Sequence, residues 1–480
     1  MSTLHEECGV YGIFAPHTTD VASSVYYGLF ALQHRGQESC GIVVNDDGLF
    51  THHRDNGIVD DVFTKSVMES LGEGNMALGH VRYATANDRA RVNAQPVVIN
   101  HIKGAMALAH NGNVINAYEL REELELTGSI FHSASDAEVI SYVITRERIT
   151  SSSIEEAVRR AVGKIKGAFS FVVMSPQKMI AVRDPHGFRP LCYGQMADGS
   201  YVIASESCAL EATGATLIRD LKPGEVLVFD KQGIRSYEDH CGKVPQASCV
   251  FEYIYFARPD SVIDGCLVHD ARLKAGEFLA KTHPVEADLV VGVPDSGLDA
   301  ALGYSRASGI PYGVGFIKNR YIGRTFIAPG QKHRENGVRI KLNPVSGVVK
   351  GKRIVLIDDS IVRGTTCAHI VHMLREAGAA EVHMRISSPP FTNPCYYGTD
   401  IDSKDALIAN NHTIEEIRQI IGVDTLGYLS GEHVTELAKG EGCKGFCTAC
   451  FDGNYPGGCP AYSQKSRYEG KITKKKEETK

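Results

Sequence analysis

Near residue 236 the apolar patterning of this chain changes character, and that change limits the possible folds more than any other feature. Residues 8 to about 235 are short β-type runs broken by Gly, Asn and Asp: CGVYGIFA, SCGIVVN, MALGHVRYAT, AMALAHNGNV, FSFVVMS, KMIAVRD, YVIASE and EVLVFD. Such runs predict layered antiparallel sheets. Two helical stretches interrupt them. SDAEVISYVITRERI opens with Ser135, a good N-cap, and SIEEAVRRAVGKIKG has helical apolar spacing before Gly167. After residue 236 strands and helices alternate. DLVVGVPDSGLDAALGYSRASG reads strand, loop, helix, glycine stop, KRIVLIDDSIVRGTTCAHIVHMLREAGA repeats the plan, and EVHMRISSPP adds a strand. That alternation predicts an α/β domain with a parallel sheet. Ligands of such sheets sit beyond the carboxyl ends of the strands.

Composition removes several function classes. With 480 residues and 43% hydrophobic content, the chain can build two or three cores. The net charge of −6 argues against general nucleic-acid binding. No run of about 18 apolar residues predicts a membrane span. The N-terminus carries Glu6 and Glu7 where a secretory signal is basic. Thirteen scattered cysteines fit reactive or metal-binding thiols in a reducing, cytoplasmic compartment better than a disulfide scaffold. The tail from 461, AYSQKSRYEGKITKKKEETK, is polar and charged and reads as disordered.

The most specific stretch is IVLIDDSIVRGTT, residues 354–366. A buried strand ends in Asp358 and Asp359, and Ser360, Gly364, Thr365 and Thr366 form a loop that opens a helix. Backbone N–H groups, hydroxyls and the positive helix end make a phosphate cradle. Paired carboxylates can accept bonds from ribose hydroxyls or hold Mg²⁺. A plain acidic turn before a capped helix is the bland alternative. The full string resembles the signature of the type I phosphoribosyltransferases for phosphoribosyl pyrophosphate (PRPP). In that resemblance VGVPDSG, 291–297, is the pyrophosphate loop, and Ser296 joins Asp358 and Asp359 at the Mg²⁺–PRPP site. From Lys318 to Lys341 lie Lys318, Arg320, Arg324, Lys332, His333, Arg334, Arg339 and Lys341 against only Glu335. This cationic stretch is read as a lid over departing pyrophosphate, with Lys318 among the PRPP-binding residues.

The first half resembles the N-terminal-nucleophile glutamine amidotransferases through CGVYGI at 8, LQHRGQES at 32, GHVRYAT at 79, HNGN at 110, SDAEV at 135 and RDPHGFRPL at 183. The resemblance implies removal of a leader, residues 1–7, so that Cys8 becomes the first residue. A terminal cysteine offers a thiol nucleophile and, as its base, an α-amine with a pKa near 8. It further implies an oxyanion hole from the Asn111 side chain and the Gly112 N–H. Arg82 is suited to clamp the α-carboxylate of glutamine and Asp136 to receive its ammonium group, with Arg35 and Gly36 completing the pattern. Read locally, Asn111-Gly112 is equally a hairpin turn. RYATAN departs from the pattern, with Ala84 and Asn87 in place of Ser and Gly.

GCKGFCTACFDGNYPGGCP contains Cys443, Cys447, Cys450 and Cys459, and spacing alone suggests a local zinc site. Chains that join these two halves in this order include an iron–sulfur branch. Resemblance to it implies Cys249, Cys395, Cys447 and Cys450 as ligands of a 4Fe–4S cluster, and thiolates suit either metal.

The expected organisation is therefore a propeptide (1–7), an α+β N-terminal-nucleophile glutaminase domain (8–235), an α/β phosphoribosyltransferase domain (236–460) and a polar tail (461–480). The joint resemblance implies that ammonia from glutamine attacks C1 of PRPP to give 5-phosphoribosylamine, at the opening of purine synthesis. It also implies inhibition by purine nucleotides and a homotetramer. A PRPP-sensing regulator that binds nucleic acid is the alternative, opposed by the acidic charge. An amidotransferase making glucosamine phosphate is opposed by the PRPP signature.

Overall fold

Alternation along the first strand decides the layering. In β1 (Gly9–Thr19) Val10 and Phe14 enter one core, while Tyr11, Ile13 and Ala15 enter another. A strand apolar on both faces must be covered on both. The computed structural model, which describes residues 8–83, 91–319, 342–399, 401, 403–440 and 442–460, meets this with four layers.

The elements of the first unit are α1 (Val21–Ala31), β2 (Ser39–Asp46), β3 (Leu49–Asn56), β4 (Gly74–Arg82), β5 (Val97–His101), β6 (Gly104–Val114), α2 (Asp136–Thr150), α3 (Ile154–Val162), β7 (Gly167–Met174), β8 (Met179–Arg183), β9 (Cys192–Gln195), β10 (Tyr201–Ala204), α4 (Ser207–Ala212), β11 (Thr216–Asp220), β12 (Val226–Asp230) and β13 (Gly233–Tyr237). One antiparallel sheet has the order β11-β9-β10-β1-β4-β2-β3 and the other β13-β12-β8-β7-β6-β5. Val10, Val43, Leu78, Ala109, Val172 and Phe229 fill the space between the sheets. Helices α1 and α4 cover the outer face of the first, and α2 and α3 that of the second. The expected cap is present, Ser135 Oγ accepting from Ala137 N at 3.3 Å, and the structure adds a second, Ser153 Oγ accepting from Glu156 N at 3.3 Å.

The first unit extends to Ser248 and also takes in Tyr396–Thr399 and the segment from Tyr455. Tyr396 and Tyr397 offer their carbonyls to Asn113 Nδ2 (2.8 Å) and Arg189 Nη2 (2.6 Å), and the Tyr397 ring stacks on Phe188 at 4.2 Å. Gly457 N donates to the Tyr397 hydroxyl at 2.8 Å.

The second unit, Cys249–Cys395 with the residues from Ile401 to Asn454, holds a parallel sheet. Its strands, in spatial order, are β14 (Leu289–Gly292), β15 (Arg353–Asp358), β16 (Glu381–Ile386) and β17 (Thr425–Tyr428). Val290, Val355 and Ile357 face α5 (Val268–Thr282) and α6 (Gly297–Ser308). Val291, Ile354 and Leu356 face α7 (Thr365–Glu376) and α8 (Ile414–Ile421). Gly309, the expected stop of α6, adopts φ +76°. Among the described residues no helix is long and apolar enough to cross a membrane.

Candidate active site

Sheet register gathers the first group of expected residues. Gly9, next to Cys8, pairs with Val81, next to Arg82 at the end of β4. Gly36 lies on that same end. A Cβ there would stand 2.6 Å from the Arg82 backbone, so only glycine allows the loop to lie flat on it. Arg35, fully buried, donates from Nε to the Cys8 carbonyl at 3.1 Å and from Nη1 to Glu206 Oε1 at 2.5 Å. The expected Arg35 is thus turned onto the residue of Cys8 itself.

Asn111 and Gly112 lie inside β6, paired with Ser170 and Phe169 of β7, so the local hairpin reading is overturned. Long β pairing on both sides of the dipeptide overrides its turn propensity. Gly112 has φ +130°, and a Cβ would meet Ala168 O at 2.2 Å. Both polar atoms of the Asn111 amide are buried without a hydrogen-bond partner among the described residues. An unpaired buried amide costs about 1–3 kcal/mol and is kept where something else completes it. Asp136, at the first turn of α2, accepts from Val114 N at 3.1 Å and lies 3.3 Å from His110 Nδ1.

Sequence reasoning passed over His80, His110 and Gln95, which tie these pieces together. His80 Nε2 donates to His110 O at 2.9 Å, joining β4 to β6, and the Gln95 side chain accepts from His110 N at 2.7 Å. Histidines within apolar strands are the available signal. Burial holds the His80 imidazolium off, pushing its pKa down to about 3. A depressed histidine contributes stability that is complete above its unfolded pKa near 6.5 and is lost as pH falls toward 3, at about 1.4 kcal/mol per pH unit. His80→Gln keeps the donor and removes the titration. Its melting temperature should fall less than that of the parent between pH 7 and 5, measured by calorimetry. Parallel curves would exclude this role.

The second group gathers at the carboxyl end of β15. Asp359 Oδ2 accepts from Ser296 Oγ at 2.5 Å, and its Oδ1 accepts from Ser360 Oγ. Asp359 N donates to Asp358 Oδ1 at 3.0 Å. Both carboxyls are buried and pushed up, first by desolvation and, for Asp358, then by the charge of Asp359. Two adjacent buried carboxyls cannot both ionise without a cation. Gly364 caps α7 in the left-handed region, φ +80°, with no side-chain cap on the first turn that Thr365 and Thr366 open. Lys318 ends a short strand, Phe316–Lys318, paired with Leu342–Pro344, and forms an ion pair with Asp295 of the 291–297 loop. Residues 320–341 of the expected lid (318–341) lie outside the described residues, as do residues 1–7, 84–90 and 461–480.

The third group is the cysteines. Burial pushes the Cys450 thiol up, and Cys395, Cys447 and Cys249 push it further. The charges of these three thus act on Cys450. Thr392 N and Asn393 N both donate to Cys450 O at 3.1 Å, holding the Cys450 turn beside the Cys395 loop. Of the local zinc grouping, Cys443, Cys447 and Cys450 belong to the second unit and Cys459 to the first. Among the described residues no three His, Cys, Asp or Glu converge as ligands of one ion.

Residues 80–212 match the glutamine amidotransferase domain. Over 460 residues, 94% of either chain, the sequence is 49% identical to amidophosphoribosyltransferase of Bacillus subtilis. The chain belongs to the amidophosphoribosyltransferases. Solved structures agree. One is glutamine PRPP amidotransferase from B. subtilis complexed with ADP and GMP, 48% identical, with a TM-score of 0.86 over 94% of this chain and 97% of that one. Another, described as the allosteric regulatory enzyme of purine biosynthesis, is 46% identical, with a TM-score of 0.88 over 97% and 100%. Amidophosphoribosyltransferases move ammonia from glutamine to PRPP, giving 5-phosphoribosylamine, glutamate and pyrophosphate. They use Mg²⁺ with PRPP.

Proposed function

We propose that this amidophosphoribosyltransferase divides its reaction between the two groups above. Cys8, freed of residues 1–7, gives its thiol proton to its own α-amine, and the thiolate attacks the side-chain carbonyl carbon of glutamine. Negative charge passes to the carbonyl oxygen, where the Asn111 Nδ2 and the Gly112 N–H donate to it. The tetrahedral intermediate collapses, the Cys8 ammonium returns its proton, and ammonia leaves. Water then hydrolyses the thioester to glutamate. Arg82 and Asp136 hold the two ends of the amino-acid part, with Gly36 fixing the Arg82 backbone. The orphaned Asn111 amide is the observation that best supports this reading.

In the second unit Asp358 and Asp359 hold the ribose face of PRPP, and Ser360, Gly364, Thr365 and Thr366 cradle its 5-phosphate. Lys318 faces the pyrophosphate. Ammonia attacks C1 opposite that group, the C1–O bond breaks, and a proton is lost to give the amine. Ser296, Asp358 and Asp359 would hold Mg²⁺, an oxygen donor set suited to that ion, and it supplies charge neutralisation to the leaving pyrophosphate.

The four cysteines fit a 4Fe–4S cluster. The donors are soft, their shell is apolar, and a bound metal would reverse the upward push on the Cys450 thiol. Thiolates also suit Zn²⁺, so the metal content of the protein decides between the two. Inhibition by purine nucleotides, a homotetramer and a cytoplasmic site complete the proposal. The test is mass analysis of active, anaerobically purified protein. The mature chain should begin at Cys8 and carry iron with acid-labile sulfide. An active chain retaining residues 1–7 would exclude the amine as base, and zinc alone would exclude the cluster.

A further inference from the structure

After leader removal Cys8 has no upstream peptide, so contacts on its carbonyl side help to set its orientation. The fold grips that side at three points. Val10 N donates to Ser205 Oγ at 2.9 Å, and Ser205 N donates to Val10 O at 3.0 Å. The third is Arg35 Nε on Cys8 O at 3.1 Å. Arg35 and Glu206 have no exposed side-chain surface. Glu206 Oε1 accepts from Arg35 Nη1 at 2.5 Å and lies 2.8 Å from His34 Nε2, while its Oε2 is 3.7 Å from Cys208 Sγ. A guanidinium this deeply buried keeps its place only with a charged partner.

We propose that Glu206 is a positioning residue for the glutaminase reaction: acting through Arg35, it fixes the Cys8 carbonyl and so aims the thiol and amine of that residue. The proposal rests on the assignment of Cys8 as nucleophile and base. The geometry favours it over a generic buried ion pair, because Arg35 divides its donors between Glu206 and the reacting residue. Removing the charge from Glu206 lets Arg35 turn away, and Cys8 then samples unproductive directions. Contacts to the α-carboxylate and α-ammonium of glutamine lie on Arg82 and Asp136 and stay in place. The loss therefore falls on kcat and not on KM.

The test compares full-length Glu206→Gln with the parent in glutamine-dependent and ammonia-dependent synthesis. Misplacing a reacting group by a fraction of an ångström to 1 Å costs about 10- to 100-fold, so kcat with glutamine should fall by about that factor, KM for glutamine should hold within about twofold, and activity with ammonia should stay within about twofold. An unchanged kcat overturns the proposal, as does a rise in KM alone or an equal loss with both nitrogen sources. If Glu206→Gln does not fold, Glu206→Asp takes its place, since it keeps the charge but draws it back by one methylene. A lowered kcat at constant KM supports the role, and a parental kcat overturns it. Cys8→Ala is measured alongside. Glutamine turnover by Cys8→Ala would remove the underlying assignment, whereas an inert Cys8→Ala beside an unimpaired Glu206→Gln removes only the positioning role.

Discussion

Cys8→Ala should abolish synthesis from glutamine, by at least about 10⁴-fold, while synthesis from ammonia stays within about twofold of the parent. The expectation follows from the proposed assignment of the two half-reactions to different units. Cys8 stands at the head of β1 in the first unit, and the carboxylate pair stands at the end of β15 in the second. Losing one sulfur removes the proposed nucleophile outright, because the alanine methyl cannot form the thioester. It disturbs little else. The side chain is half-buried, and the register of Gly9 on Val81 uses backbone alone. Cys8→Ser sharpens the result. Its hydroxyl keeps the shape, but an alcohol is far harder than a thiol for an amine of pKa near 8 to deprotonate, so activity should remain well below that of the parent. Both activities are read by following PRPP consumption with each nitrogen source. An equal fall in the two would end the division of labour.

Much of this arrangement is legible in the residues. The strand, Asp358-Asp359, loop and helix order is a local pattern, and it folds locally as read. The Ser135 cap and the Gly309 stop are legible for the same reason. What escapes is non-local or contrary to local preference. Tyr396–Thr399 carries no periodicity that assigns it to the first unit; carbonyl bonds to Asn113 and Arg189 do so. The fourth parallel strand, Thr425–Tyr428, is too short to stand out from its surroundings. Asn111-Gly112 reads as a turn by propensity, yet pairing with Ser170 and Phe169 of β7 makes it strand. Glu206 reads as an acid near a helix start, whereas the fold buries it against a guanidinium that is 171 residues away in sequence. Buried polar groups are costly unless paired, so the partner, which only the tertiary structure supplies, is what reveals their task.

Asp359→Asn should remove synthesis from glutamine and from ammonia alike, by about 10²- to 10³-fold in kcat/KM for PRPP. The amide is close to isosteric and keeps one acceptor oxygen, so one of Ser296 and Ser360 still donates to it while the other turns its hydroxyl to accept from the NH2, and the loop should keep its shape. The change removes the negative charge that the ribose and its metal-bearing leaving group require as the C1–O bond lengthens. Glutamine hydrolysis measured without PRPP should survive, since the Cys8 site is untouched. The pH dependence provides a second reading. In the parent, burial and then the charge of Asp359 push the Asp358 carboxyl up. A carboxyl raised in this way holds its proton until higher pH, and binding of Mg²⁺–PRPP must displace it, so affinity rises with pH through that range. Without the neighbouring charge Asp358 ionises earlier, and the rising limb of residual PRPP binding should move to lower pH. A limb that stays in place would mean that the two carboxyls titrate independently. An unchanged PRPP turnover would mean that the reaction does not use Asp359 at all.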